Sequence, residues 1–489
     1  MTDRALVVDV GTSSVRASLV APDGAVTSVH QVAVLPSTPS PGIVEVDAGA
    51  IARAVLATSE AALAEAGGVA AVGITNQRAT TVVWDAQTGE PVGPAIGWQD
   101  LRTVIDCLTL QASGLRLAPN ASATKLRWLV QHADADLVSS GRLRFGTVDT
   151  WIAWVLSGGT LHVTDATNAG VTGLVHAEDI GGWDASVLEA LELDASLLGT
   201  IVDTVGVVGT ASALRGAPAI AAIVGDQQAS LAGQGCVAPG QGKCTFGTGG
   251  MLDLILADRP AFARQGSAGC FPIVARRRDR VTTWGIEAVM LTAGSCVEWL
   301  RDDLGLVGTA ADTDGLAASV PDTAGVRFVP ALLGVGTPDW DFGARGGFFG
   351  LTRGATKAHL VRAVLEGIAQ RARELVESAQ ADGGVELGSL RVDGGMTANA
   401  SFLQLLADAT GRTIEVAPVL EATTRGAGLL ALLAVGVLED EAALAATWQP
   451  SRTIAPDTTE VEREAARSSW SNAKAQALRA IPGLSDVSF

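Results

Sequence analysis

Tyrosine is absent from this 489-residue chain, and cysteine and histidine occur only five times each. Cys107, Cys236, Cys244, Cys270 and Cys296 are odd in number and form no CxxC pair, so neither a disulfide framework nor a zinc site is indicated. His30, His132, His162, His176 and His359 show no HExxH or paired spacing. Chemistry must therefore rest on carboxylates and positioning. Positive charge is also scarce: 34 Lys and Arg against 52 Asp and Glu give a formal charge of -18. Nucleic acid and anionic lipid would both reward a basic face, so neither is expected as a main partner. The longest apolar stretch, Gly426 to Leu438, falls short of the roughly 20 residues that span a bilayer. The start Met1-Thr2-Asp3-Arg4 leads straight into a strand with no basic and apolar signal region. A soluble cytoplasmic protein is expected.

What the chain does have is apolar residues, at 48%, and 57 glycines. So hydrophobic a chain can bury a large core, and its length suggests two or three domains. Several glycines stand where apolar runs end. Leu6-Val7-Val8-Asp9-Val10 runs into Gly11-Thr12-Ser13-Ser14, and Thr245-Phe246 into Gly247-Thr248-Gly249-Gly250. Glycine lets a backbone turn tightly against an oxyanion, while hydroxyls and successive N–H groups donate to it. An acid at the strand end would repel a bare phosphate, so Asp9 makes sense with a divalent cation between them. The pair of turns points to a metal nucleotide.

The coarse pattern alternates strands and helices. Leu6–Val10, Val15–Val20 and Val69–Thr75 read as strands, with a helix over Asp47–Ala66. Ala217–Val224 reads as a buried strand delivering Asp226 into a cleft, followed by a helix start over Asp226–Ala232. Gly242–Phe246, Met251–Leu256 and Leu390–Asp393 read as strands, the last reaching Gly394-Gly395 and a helix over Ala398–Thr410. A phosphate or sugar could rest on that helix N-terminus. The stretch Ala238-Pro239-Gly240-Gln241-Gly242 marks the boundary between halves, giving domains 1–237 and 238–489. The tail carries a capping box at Thr459 and Glu462, then a helix to about Ile481.

Three motifs are set aside. Gly242-Lys243-Cys244 lacks the hydroxyl and upstream glycine of a Walker A loop. Gly233-Gln234-Gly235 follows a helix start rather than the strand a dinucleotide fingerprint needs. Ser122-Ala123-Thr124-Lys125 matches the SxxK of acylating serine enzymes, yet no SDN or KTG follows; it reads as a helix entry with Ser122 or Thr124 as cap.

These residues resemble the FGGY carbohydrate kinases, and within them the glycerol kinases. The likeness runs through Asp9–Ser14, Gly73–Arg78, Ala95–Asp100, Gly225–Gln228, Phe246–Gly249, Trp340–Gly346, Gly350–Gly354 with His359-Leu360, and Val392–Gly395. It implies an α/β fold of two actin-like (ribonuclease H-like) ATPase domains, closing over a cleft for ATP with Mg2+ and a small polyol or sugar. By that resemblance Asp226 is the general base and Asp9 the magnesium-ordering acid. Thr12, Ser13, Ser14 and Arg16 bind the transferred phosphate, with Thr248 and Gly249 on the β and γ phosphates. Gly294, Glu298, Gly395 and Asn399 match contacts to ribose, adenine and α phosphate, with Glu298 standing where the nearest relatives carry glutamine. A homodimer or homotetramer is common in the family.

On the acceptor side, Arg78, Trp98, Asp226 and Gln227 match residues that hold glycerol. Ala79 replaces a glutamate, Asn120 aligns with the family's tyrosine, and Met251 stands for a phenylalanine. Loss of bulk and of a charged acceptor implies a roomier pocket, for a polyol or ketose of about four to five carbons. The alternatives are a glycerol kinase proper, and an actin-like ATPase serving as a sugar-binding regulator.

Overall fold

The computed structural model describes residues 3–176, 179–418 and 421–487. Two sheets are built on one plan. In the first, β1 (Ala5–Val10), β2 (Ser14–Val20) and β3 (Val26–Ala33) are antiparallel neighbours. On the other side of β1, β4 (Ala71–Asn76) runs parallel to it, and β5 (Ala219–Gly225) parallel to β4. In the second, β6 (Gly242–Phe246), β7 (Gly250–Ile255) and β8 (Val281–Met290) repeat the antiparallel run. Then β9 (Leu390–Asp393) and β10 (Ile414–Val416) repeat the parallel pair. Each half therefore has the order 3-2-1-4-5. Between them lie strand Val205–Thr210, paired to β5, and strand Phe271–Arg278, paired to β8. These two meet at one register pair, Val205 with Arg278, and with strand Arg452–Ile454 antiparallel to β10 at the far edge the whole is one thirteen-stranded sheet.

The strand sequences follow from this placement. β1 and β4 are buried almost throughout, and apart from Asp9, Thr75 and Asn76 at their C-terminal ends both are apolar, as strands covered on both faces should be. β3 lies at the edge, and its residues alternate between half-buried and exposed.

Eight helices carry the argument. α1 is Ala48–Ala66, α2 Ser122–His132, α3 Asp226–Gly233 and α4 Gly294–Asp302. α5 is Lys357–Gly383, α6 Ala400–Thr410, α7 Ala422–Ala434 and α8 Glu460–Ala477. α1 starts on Asp47, whose side chain accepts from Ala50 N at 2.8 Å, and stops at Gly67 in the left-handed region at φ 69°. It lays Ile51, Val55 and Leu63 against Leu6, Val8 and Val10. The opposite face of that sheet is sealed by α7, whose Leu429, Leu430 and Leu433 pack with Ala5, Val7 and Val224. A helix from the second half of the sequence thus closes the core of the first sheet.

α7 also crosses α3 backbone to backbone. A Cβ on Gly233 would sit 1.9 Å from Ala422 O, and one on Gly426 only 1.8 Å from Ala229 O. No other residue type fits either position without displacing a helix.

Most expected elements appear within two residues of their predicted ends. The tail helix keeps its capping box, with Glu462 accepting from Thr459 N at 2.8 Å, but α8 ends at Ala477 rather than near Ile481. The reading of Ser122 or Thr124 as a cap is corrected. α2 begins at Ser122 after Ala121 with no side-chain cap, because both hydroxyls bond elsewhere: Ser122 to Ala79 O and Thr124 to Thr103.

Candidate functional site

The glycine turns follow the C-terminal ends of parallel strands, so each half gathers its turns at one edge. Gly11 N donates to Ser14 O at 3.0 Å and closes the first turn, leaving Thr12 and Ser14 half-buried and Ser13 exposed. Asp9, just before it, accepts from Thr424 Oγ1 of α7 at 3.0 Å and lies 4.0 Å from Arg16. That compensation is thin. Burial raises the Asp9 pKa to about 6; Arg16 and Thr424 pull it down and nearby Asp226 pushes it up. Arg16 also donates to Gln31 at 3.3 Å.

Asp226 opens α3 and keeps about a third of its side chain (32%) accessible from the cleft. Its Oδ1 accepts from Gln227 N at 2.8 Å and lies 3.5 Å from Arg78 Nε. Loss of water raises its pKa, and this outweighs the opposing pull of Arg78. The strand end beneath it is fixed from below. Gly225 N donates to Thr167 Oγ1 at 2.8 Å, and Thr167 in turn donates to buried Asp165 at 2.9 Å.

Arg78 and Gln227 both reach across to the second half. Arg78 Nη2 donates to Glu287 of β8 at 2.7 Å, while its Nη1 is buried with no partner. Gln227 Oε1 accepts from Lys243 Nζ, which also bonds Thr245 Oγ1 at 3.0 Å and pairs with Asp253 at 2.8 Å. Lys243 and Asp253 are wholly buried, so the pair is held without water. With its oxygen taken, Gln227 offers the cleft its NH2 group.

The other residues expected on the acceptor side are Ala79, Trp98, Asn120 and Met251. Ala79 is held in the left-handed region at φ 63°, and its carbonyl accepts from Ser122 Oγ at 3.0 Å and Thr81 Oγ1 at 3.2 Å. A left-handed non-glycine residue stores strain of order 1–2 kcal/mol, which such bonds must offset. Trp98 Nε1 donates to Thr12 Oγ1 at 3.4 Å, tying the segment 97–98 to the turn at 11–14. Asn120 is exposed, and Met251 stands half-buried on β7 opposite Thr245.

In the second half, the turn 247–249 is bonded to the start of α4. Gly247 O accepts from Gly294 N at 2.9 Å, and Thr248 O from Ala293 N at 2.8 Å and Ser295 N at 3.1 Å. A Cβ on Gly249 would meet Met290 O at 2.6 Å, and one on Gly294 would meet Gly247 O at 2.5 Å. The turn at Gly394-Gly395 lies beside Phe246, whose oxygen would be 2.3 Å from a Cβ on Gly394; Gly395 itself faces open space. Asn399 caps α6, its Oδ1 accepting from Phe402 N at 2.8 Å and its Nδ2 donating to Thr313 at 2.9 Å. Both of its polar groups are therefore engaged. Glu298 sits on the exposed side of α4.

Direct contacts thus make three separate groups at the first sheet, Trp98 with Thr12, Arg78 and Gln227 with Asp226, and Asp9 with Thr424 and Arg16, while the turn at 247–249 packs on Gly294 at the second. Four participants were not picked out from the sequence as site residues. Glu287 was signalled only by an acid inside the apolar run Ile286-Glu287-Ala288-Val289, and Thr424 only by paired hydroxyls at a helix start. Lys243 and Lys125 lay inside motifs set aside for other reasons. Among the described residues no group of three or more His, Cys, Asp or Glu could cage a metal. An under-compensated carboxylate such as Asp9 suits magnesium, which takes one or two carboxylates and fills its shell with water and phosphate oxygens.

Residues 4–233 match the FGGY family of carbohydrate kinases, N-terminal domain, and residues 242–435 its C-terminal domain. A glycerol kinase of Trichlorobacter lovleyi is 40% identical, the match covering 96% of this chain and 97% of that protein. One from Aromatoleum aromaticum is 42% identical over the same shares. Among solved structures, the glycerol kinase of Plasmodium falciparum with ADP superposes with a TM-score of 0.90 at 27% identity, covering 97% of this chain and 98% of that one.

Proposed function

The chain belongs to the FGGY family of carbohydrate kinases, and from that premise we propose that Asp226 serves as general base for transfer of the ATP γ-phosphate to a hydroxyl of a small polyol or ketose. That it is an ATP-dependent kinase acting on an alcohol group follows from the family and its glycerol kinase relatives. The observation that supports the role of Asp226 best is its position: a carboxylate of raised pKa in the cleft, held by Gln227 N and steered by Arg78. Phosphoryl transfer depends mainly on positioning and charge neutralisation, so a modest base suffices.

In this reading the first half, residues 1–237, holds the acceptor, and the second, 238–489, the nucleotide. Arg78 and the NH2 of Gln227 donate to acceptor oxygens, Trp98 packs on its carbons, and Asp226 accepts the proton of the attacking hydroxyl. Thr12, Ser13, Ser14 and Arg16 receive the transferred phosphate, while Thr248 and Gly249 grip the donor from the other side. Asp9 would hold Mg2+, and the bound ion would neutralise charge on the bridging phosphate oxygens. Gly294, Gly395, Glu298 and Asn399 would line the nucleoside end. A homodimer or homotetramer is the proposed assembly, for which exposed Leu101, Ile105 and Leu108 offer apolar surface.

The acceptor proposed has about four to five carbons, because Ala79, Asn120 and Met251 leave space and Ala79 offers no carboxylate. Assays with ATP and glycerol, erythritol, threitol, arabitol, ribitol and xylulose are expected to favour the longer compounds in kcat/KM. Glycerol far ahead of the others would instead support a second reading, glycerol kinase proper, which the 40–42% identity to two glycerol kinases favours.

The pH dependence follows from Asp9. Its carboxyl is protonated below about 6, where proton and metal compete for the same oxygens. Apparent MgATP affinity is expected to be steady above pH 7 and to weaken by about tenfold per pH unit well below 6. Titrating MgATP binding between pH 5 and 8 checks this. A flat profile would argue against a metal at Asp9.

A further inference from the structure

Ser122-Ala123-Thr124-Lys125 has no acylating partner, yet it occupies an unusual place in the fold. Lys125 is fully buried, with 0% of its surface exposed. Its Nζ donates to Gly97 O at 2.8 Å, Trp98 O at 3.0 Å and Asn120 O at 3.3 Å. An ammonium has three N–H groups, and here three main-chain carbonyls use them all. Three residues earlier on α2, Ser122 Oγ donates to Ala79 O at 3.0 Å. One turn of helix therefore bonds to the main chain of three separate segments, 79, 97–98 and 120, each of which contributes a residue to the proposed acceptor site.

A buried ammonium without a bonded carboxylate is expensive, and packing alone would be served better by an apolar side chain. Burial pushes the Lys125 pKa down to about 7, with Asp100 and Cys107 favouring the charge and Arg102 opposing it. What the charge gains in return is three aligned carbonyls at fixed separation. Those bonds also constrain the segments in other ways: Trp98 N donates to Thr80 Oγ1 at 3.1 Å, and Thr80 Oγ1 to Gln77 Oε1 at 3.3 Å, so the 77–80 and 97–98 segments are locked on both sides.

We propose that Lys125, assisted by Ser122, is a positioning residue for the acceptor: it fixes the main chain that presents Trp98, Asn120 and Ala79 to the cleft without touching the acceptor itself. The proposal rests on the assignment of that cleft as the acceptor site. It separates acceptor geometry from nucleotide geometry, because all four carbonyls belong to the first half and none to the turns at 247–249 or 394–395.

Lys125→Met, which keeps length and burial but removes all three donors, is expected to raise the acceptor KM at least tenfold while the ATP KM stays within about twofold. Ser122→Ala removes one bond with no charge change, and is expected to raise the acceptor KM about threefold with ATP KM again unmoved. Should Lys125→Met fail to fold, Ser122→Ala carries the test alone. Acceptor and ATP constants that move together, or a lowered melting temperature with both constants unchanged, would overturn the proposal. Trp98→Ala is run beside them to separate the two readings. If it leaves the acceptor KM unchanged, the acceptor-site assignment fails; if it raises that KM while Lys125→Met and Ser122→Ala do not, only the positioning role fails.

Discussion

Asp226→Asn is expected to lose about 10² to 10⁴-fold in phosphoryl transfer, the range that a positioned proton acceptor supplies. That corresponds to about 3–5 kcal/mol of barrier at 1.36 kcal/mol per decade. The substitution is nearly silent in structure. Asparagine keeps an oxygen where Asp226 Oδ1 accepts from Gln227 N at 2.8 Å, and Arg78 retains its 2.7 Å bond to Glu287. The turn at 247–249, proposed to grip the nucleotide, takes no bond from Asp226, so ATP affinity should change by less than about twofold. Single-turnover transfer beside equilibrium ATP binding measures both quantities. Undiminished transfer would remove Asp226 as the base, and a parallel loss of ATP binding would show that it acts through fold or charge instead.

Gly426→Ala is expected to damage the enzyme as severely by a different route. Its new methyl would lie 1.8 Å from Ala229 O, so α3 and α7 must separate. Overpacking of this kind costs roughly 1–3 kcal/mol when the surroundings can yield, and more when the contact is backbone against backbone. Each of these helices starts in the cleft: Asp226 opens α3, and Thr424, in the first turn of α7, holds Asp9 at 3.0 Å. Thr423 Oγ1 also donates to Asp226 O at 3.4 Å. Separating the helices moves the two acids apart, so the melting temperature and kcat should both fall, kcat by at least tenfold. Gly315→Ala is the control, because that glycine lies within a helix with nothing within 4 Å of a Cβ. It should leave activity alone and stabilise by about 0.4–1 kcal/mol. Equal behaviour of the two variants in thermal melts and turnover would contradict the argument.

Much of the site was legible in the sequence because its signals are local. A strand ending in Asp9 or Asp226 and a turn built on Gly11, Gly247 or Gly394 each declare themselves within a few residues, and the structure sets those turns at strand ends. Long-range pairing leaves no such trace. Arg78 meets Glu287 across 209 positions, and Asp9 meets Thr424 across 415. Ser122 read as a cap because hydroxyls at helix starts usually are caps; here Ala79 O competed for it and won. α7 hid its role for another reason. An apolar helix face reads the same whichever sheet it covers, so nothing in 422–434 announced that it belongs against β1 and β4. The strand at 281–290, which carries Glu287, was not read from the sequence; its first half, Val281-Thr282-Thr283-Trp284-Gly285, is broken by hydroxyls and a glycine.

The single register pair between Val205 and Arg278 has a mechanical meaning. Elsewhere neighbouring strands of the central sheet share three to seven register pairs, and bending there would break several bonds together. At this seam the strands themselves contribute least, and the junction is held instead by Arg277 N on Thr204 Oγ1 at 3.0 Å, Arg277 with Asp203 at 3.0 Å and Arg280 N on Asp203 at 2.9 Å. Torque between the halves falls on that line and on side chains that span it, among them Arg78 with Glu287, Gln227 with Lys243, Asp203 with Arg277 and Ser230 with Asp393. An acceptor oxygen bonded to Arg78 or Gln227 would therefore bear on the same side chains that link the two halves.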